Sequence, residues 1–299
     1  MTSAAQKIFA SWSVPIGVIE ILSLAVLIYL IGWLRLRGAF QDLISAWRLA
    51  AFLAGICSLW IAIGSPLNAF DDVSLAAHMV QHLLLMAVAP PLILLSAPAL
   101  PLLQGLPRWM AHSIVAPFLR WSLVKQVGHF ITNPAICWLA AALALLEWHI
   151  PGVFEIALHS RIWHEVEHAS FFGAGILFWW PVVQPWPSAS RWPRWSIPLY
   201  LFCGTFPCDA LSGFLAFCDR VVYKSYLGAP QILTTSPLQD QEFAAALIWT
   251  CTTVIFLVAA AIVTIQILSP KNAPVSSRAW ARLKKITDHS AQASKPEGM

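Results

Sequence analysis

The chain has 299 residues, of which 59% are hydrophobic and only 11% are charged. Because a soluble domain carries roughly 25% charged residues, this composition excludes a water-soluble globule and indicates a single membrane domain. The net charge of +4 comes from basic residues scattered in short loops, a pattern typical of membrane proteins rather than of nucleic-acid binding. The six cysteines form no Cys-x-x-Cys pair, and we expect free thiols rather than a disulfide framework.

Seven apolar stretches are about long enough to span a bilayer as helices. In chain order they are residues 14–34, 49–66, 74–97, 133–148, 163–183, 196–217 and 242–268. We therefore predict an all-α fold, a polytopic integral membrane bundle of about seven transmembrane helices. Residues 1–13 would form an N-terminal outer segment, residues 14–268 the membrane domain, and residues 269–299 a polar cytoplasmic tail.

The Lys and Arg residues predict the orientation, because cytoplasmic loops are enriched in both. With the N-terminus outside and the C-terminus inside (N-out/C-in), fourteen of the eighteen lie in inner segments. The other four, Lys7, Arg161, Arg220 and Lys224, lie in outer segments. The long inner segment 98–130 is expected to include an amphipathic helix at the membrane surface.

Six of the nine histidines lie at the outer membrane face in this orientation. His78 and His82 are four residues apart and share one face of the third helix. His164 and His168 repeat this spacing at the start of the fifth helix, and His149 ends the fourth helix on the same side. These five histidines could surround one or two metal ions, because imidazole is a ligand for Zn, Cu, Fe and Ni.

Other outer residues could support such a site. Met86 continues the face of the first histidine pair, and a thioether favours Cu(I). We expect Asp72, Glu167 and Asp240 to attract cations or to orient the ligating imidazoles. Solvated loop charges and helix N-caps are an alternative role for such carboxylates.

Two other functions remain open at this point. Residues 164–168, His-Glu-Val-Glu-His, match the H-E-x-x-H pattern of zinc hydrolases, in which the Glu is the general base. The paired histidines of the third and fifth helices could instead ligate haem iron in a redox protein. A scaffold that binds no metal is a further possibility.

Several longer motifs resemble those of a known family. They lie at residues 77–85 (Ala-His-Met-Val-Gln-His-Leu-Leu-Leu), 89–92, 148–151, 177–181 and 236–241. Over residues 15–268 the chain resembles the CtaG-type, seven-helix bacterial cytochrome c oxidase assembly factors. The resemblance implies a protein of the bacterial inner (plasma) membrane that helps to mature the copper centres of a haem-copper oxidase.

The resemblance also implies particular ligands and partners. Copper is the expected metal, with haem or zinc as alternatives. The expected partners are cytochrome c oxidase subunits, the lipid bilayer and a periplasmic copper chaperone, with no nucleic acid. We expect a protein that is not an enzyme, because the sequence offers no clear catalytic nucleophile.

Overall fold

The computed structural model describes Trp12 and residues 15–37, 44–185, 192–229 and 236–269. All regular elements in these ranges are helical, so the predicted all-α class is confirmed. The predicted outer segment 1–13 and polar tail 269–299 lie outside the described residues, apart from Trp12 and Ser269.

The helices of the described ranges are numbered in chain order. They are α1 (Ile16–Leu36), α2 (Ala46–Ile63), α3 (Leu75–Leu95), α4 (Ala99–Gly105), α5 (Arg108–Met110, Ala111–Val115 and Ala116–Arg120 in succession), α6 (Ser122–Ile131), α7 (Pro134–Trp148), α8 (Pro151–His159), α9 (Arg161–Val183), α10 (Ser196–Phe217) and α11 (Pro237–Leu268). Short 3₁₀ turns at Pro66–Ala69 and Lys224–Gly228 precede α3 and α11.

Five of these helices are long and apolar enough to cross a membrane, namely α1, α2, α3, α10 and α11. A sixth span results if α6 and α7, which meet at a bend of 68°, are one broken span. Alone, α7 has 15 residues, which is shorter than the roughly 20 residues of a typical membrane-spanning helix. By contrast, α9 has 23 residues, but its first turn is polar. The described part of the chain is therefore a helical membrane protein with five or six candidate spans, against the seven that we predicted.

The central helix of the bundle is α3. Its first half packs against α11, and its second half packs against α2 and α9. In turn, α9 packs against α7 and α8. Leu75, Phe154 and Phe171, each no more than 2% exposed, fill the space between these helices. The start of α3, the end of α7 and the start of α9 therefore lie at one end of the bundle.

A wide π-helical turn at Leu84–Val88 interrupts α3. It precedes Pro90 and Pro91, which have no backbone N–H and so cannot donate to a carbonyl in the preceding turn. The Met86 carbonyl, left without that donor, accepts a hydrogen bond from the Trp179 indole N–H of α9 at 3.1 Å. Gly175 permits this close approach, because a Cβ there would lie 2.8 Å from the Met86 oxygen.

Segment 98–130 forms α4, α5 and most of α6, so its predicted helical structure is confirmed. A Cβ on Gly32 of α1 would clash with the Pro101 carbonyl oxygen, so α4 can pack this closely only against a glycine. By contrast, Trp109, Phe118 and Trp121 are all more than half exposed. Exposed aromatic side chains on short helices are typical of a segment that lies along a membrane surface.

Candidate metal centre

Two histidines lie side by side at the start of α3. The hydroxyl of Ser74 caps this helix by accepting a hydrogen bond from the Ala77 backbone N–H at 3.3 Å. The four-residue spacing then places His78 and His82 on the buried face, where they are 1% and 3% exposed. Their ring centroids are 4.3 Å apart.

A carboxylate from α11 holds the start of α3. Asp240 accepts one hydrogen bond from the Ser74 hydroxyl at 2.9 Å and another from the Leu75 backbone N–H at 2.6 Å. A negative charge at a helix N-terminus also interacts favourably with the helix dipole. Asp240 therefore positions the helix that carries His78 and His82, and the structure gives it no contact with either ring.

Glu167 of α9 lies between the histidine pairs. It is completely buried, and its Oε1 atom lies 3.4 Å from His82 Nε2 and 3.6 Å from His78 Nε2. The other oxygen, Oε2, lies 4.0 Å from His164 Nε2. These distances exceed the 2.7–2.9 Å of a charge-assisted hydrogen bond, so the carboxylate faces three imidazoles without forming a close pair with any.

A second carboxylate approaches His164 from the loop before α3. Asp71 Oδ2 lies 3.5 Å from His164 Nε2, and the Asp71 side chain is almost fully buried. Burial, and after it the charge of Asp72, raises the pKa of Asp71 to about 7. The Asp71 main-chain oxygen accepts a hydrogen bond from the Tyr226 hydroxyl at 2.8 Å, which ties the loop before α11 to the loop before α3.

His149 and His168 complete the group. The carbonyl of Leu145 accepts a 2.6 Å hydrogen bond from His149 Nδ1, so neutral His149 keeps its lone pair on Nε2. That nitrogen lies 3.3 Å from the Met79 sulfur. The ring centroids of His149 and His168 lie 5.7 Å and 6.1 Å from that of His82. The histidine cluster is defined here as His78, His82, His149, His164 and His168.

Unpartnered polar atoms concentrate in this region. Of the fourteen buried side-chain nitrogen and oxygen atoms without a hydrogen-bond partner among the described residues, eight lie here: both nitrogens of His78 and His82, Nε2 of His164 and His168, and both oxygens of Glu167. An unpartnered buried polar group costs about 1–3 kcal/mol, so such groups are uncommon unless they serve a function. One ligand atom each from His78, His82 and Glu167 lies within 4.8 Å of the others. A cation bound between them would supply the missing partners, so these residues fit a metal ion.

Met86 lies one helical turn beyond His82 and lines a cavity between α3, α7, α9, α10 and α11. The cavity has a volume of about 60 Å³, and its lining is almost entirely apolar. His82 lies at its wall. The thioether therefore shares an apolar space with His82 and is outside the group of nitrogen and oxygen ligands.

Comparison with known protein families gives a match over most of the chain. The model of the cytochrome c oxidase caa3 assembly factor family, Caa3_CtaG, matches residues 27–269, which is most of the chain. The chain belongs to this family. Neither a curated protein nor a solved structure matches it. The resemblance predicted from the sequence is thereby confirmed, and the chain is a member of a cytochrome c oxidase assembly family.

The structure brings together most of the site residues that were predicted from the sequence. All five histidines of the cluster and Glu167 lie at one end of the bundle. Glu167 was predicted to orient the imidazoles, but the position of its oxygen beside His78 and His82 also allows it to be a ligand itself. Asp72 is exposed, and the carboxylate that approaches a ring is that of its neighbour Asp71.

Two features of the site bear on the zinc hydrolase and haem alternatives. Glu165 is the general base that the H-E-x-x-H interpretation needs, yet its side chain is 66% exposed and accepts a hydrogen bond from Arg161 at 3.0 Å. A haem between the two histidine pairs would have to displace Glu167, which faces both. The local geometry therefore favours neither a zinc hydrolase nor a haem site.

Proposed function

We propose that this chain handles copper for the assembly of a haem-copper cytochrome c oxidase. The main support is the convergence of unpartnered imidazole nitrogens and carboxylate oxygens at one end of the bundle. Imidazole binds copper well, and a buried carboxylate without a partner is costly unless a cation compensates its charge. Copper is cargo in this proposal, and the expected partners are oxidase subunits and a periplasmic copper chaperone.

The proposed topology has seven transmembrane helices, formed by α1, α2, α3, α7, α9, α10 and α11. The proposed orientation is N-out/C-in in the inner membrane of a bacterium. Fourteen of the eighteen Lys and Arg then lie on the inner side, in agreement with the enrichment of cytoplasmic loops in basic residues. The histidine cluster lies on the outer side, where oxidase copper is supplied.

The ligands have different proposed roles. His78, His82 and Glu167 hold the ion, because their ligand atoms lie closest together. His164 is 18% exposed and provides contact with the outside. His149 and His168 are further ligands around the same space, and Met86 offers a thioether next to His82. Several weak alternative ligands suit ligand exchange with a client, and no group in this proposal is catalytic.

The test removes both histidines of α3. Copper per chain is measured by mass spectrometry on the purified full-length protein, and oxidase copper content and activity are measured in membranes. We expect the His78→Ala/His82→Ala double variant to lose copper binding and to leave the oxidase short of copper. The control is His159→Ala, because that histidine is 68% exposed and lies outside the cluster. Unchanged copper content and unchanged oxidase maturation in the double variant would refute the proposal.

A further inference from the structure

The two oxygens of Glu167 face different groups of ligands. Oε1 lies within 3.6 Å of the Nε2 atoms of His78 and His82, which both belong to α3. Oε2 points towards His164, at 4.0 Å. Both oxygens are buried and neither has a hydrogen-bond partner. One carboxylate therefore separates two sets of candidate ligands.

The inner set has the dimensions of a metal site. A tetrahedral ion with bonds of about 2.0–2.1 Å holds its ligand atoms roughly 3.4 Å apart. The observed separations from Oε1 are 3.4 Å to His82 Nε2 and 3.6 Å to His78 Nε2. An ion here would have two imidazoles and one carboxylate oxygen, with a further position open to His149, His168 or solvent.

The outer set is more widely spaced than the inner one. His164 Nε2 lies 3.5 Å from Asp71 Oδ2 and 4.0 Å from Glu167 Oε2. The His164 nitrogen is buried without a hydrogen-bond partner, although the residue as a whole is partly exposed. One imidazole and two carboxylate oxygens form a harder ligand set than the inner one, and such a set suits a divalent ion.

We propose that the centre is dinuclear, with Glu167 bridging an inner ion on His78 and His82 and an outer ion on His164 and Asp71. This inference rests on the proposed function and adds the second site and its ligands. Bridged pairs of ions in proteins are typically about 3.5–4 Å apart, a spacing that one carboxylate can span. Asp71 supplies the second negative charge, which offsets the repulsion between two cations.

The arrangement implies an order of exchange. His164 is the more exposed ligand, while His78 and His82 are almost completely buried. The outer ion exchanges with a donor or client first, and the inner ion follows by way of Glu167, whose two oxygens reach both positions. The outer site is thus the point of contact, and the inner site retains the cargo.

The test counts Cu(II) ions on the purified full-length protein in detergent. We expect wild type to retain two ions per chain after desalting, and both Asp71→Asn and His164→Ala to retain one. Asp72→Asn is the matched control and should retain two, because Asp72 is adjacent but exposed. Asp71→Asn keeps an oxygen for the hydrogen bond from the Asp72 backbone N–H, and size-exclusion chromatography verifies that each variant remains folded.

Electron paramagnetic resonance gives an independent readout. Two adjacent Cu(II) ions in wild type should couple and lose the signal of isolated copper, whereas Asp71→Asn should show about one isolated Cu(II) per chain. One ion in both wild type and Asp71→Asn would overturn the dinuclear centre but leave the proposed function intact. Loss of both ions in Asp71→Asn would overturn the division into two sites. No copper on wild type would overturn the proposed function as well.

Discussion

Glu167→Leu should change stability in opposite directions in the absence and presence of metal. Glu167 is completely buried, and neither of its oxygens has a hydrogen-bond partner. Replacement of buried ionic groups by apolar side chains of similar size is often stabilising by about 1–4 kcal/mol. An unpartnered polar group costs about 1–3 kcal/mol. We therefore expect the free energy of unfolding of the metal-free variant to exceed that of metal-free wild type by about 1–3 kcal/mol.

Bound metal should reverse this order of stability, so that wild type becomes more stable than Glu167→Leu. A ligand present at about 100 times its Kd stabilises the folded state by about 2.7 kcal/mol, and wild type should gain this from Cu(II). The Leu variant should gain little, because it lacks the carboxylate that faces both sets of imidazoles. About 1 kcal/mol shifts the Tm of a large domain by roughly 2–4 °C. Copper should therefore raise the Tm of wild type by about 5–11 °C and that of the variant by much less.

The assay is thermal unfolding of the purified protein in detergent, with and without Cu(II). Size-exclusion chromatography monitors the fraction of protein that remains folded. Glu165→Leu is the matched control, because Glu165 is two residues away on α9 but mostly exposed. It should respond to copper as wild type does. If copper raised the Tm of Glu167→Leu as much as that of wild type, Glu167 would not be a ligand and the reasoning would be wrong.

Two further substitutions test how the site is positioned. Gly175→Ala should lower the Tm and weaken copper binding, because the new Cβ would lie 2.8 Å from the Met86 oxygen. Gly173→Ala is the control. A Cβ on Gly173 would have no neighbouring atom within 4 Å, so the Tm and copper binding should stay unchanged. Asp240→Ala removes two charge-assisted hydrogen bonds at the start of α3 and should cost about 3 kcal/mol, measured as a Tm lower by roughly 6–12 °C. Glu242→Ala, an exposed acidic residue in the same turn, is the control, and an equal loss in both variants would contradict the capping role.

Residues within one helix were predictable from spacing. The four-residue repeat places His78 above His82 and His164 beside His168 whatever surrounds the helix, and the structure shows both pairs. The grouping of His149 with them followed from assigning all three helix ends to one membrane face. The two pairs were predictable because helix periodicity is a property of local sequence.

Residues in loops were harder to assign. Asp71 and Asp72 are adjacent, and only the fold of the loop before α3 decides that Asp71 is buried against His164 while Asp72 is exposed. The Tyr226 hydroxyl that holds this loop comes from 155 residues further along the chain. Such a contact leaves no periodic signal in the sequence. Asp240 was named as a supporting residue, but its bond to the backbone of another helix could not be predicted from spacing.

Of the predicted spans, α9 is one that is absent from the five candidates. Its first turns carry the polar residues His164, Glu167 and His168. The residues that suggest metal binding are therefore also those that make this helix less apolar. Polar residues at membrane depth commonly carry function.

The wide turn of α3 has a mechanical consequence. Pro90 and Pro91 remove two successive donors from the helix, and the Met86 oxygen is bonded sideways to Trp179 instead. Bending stiffness is lowest where the ladder of backbone hydrogen bonds is broken. Motion of the Leu95 end of α3 should therefore be taken up at this joint, while His78 and His82 keep their spacing. Docking of a partner at the far end would leave the ligands undisturbed.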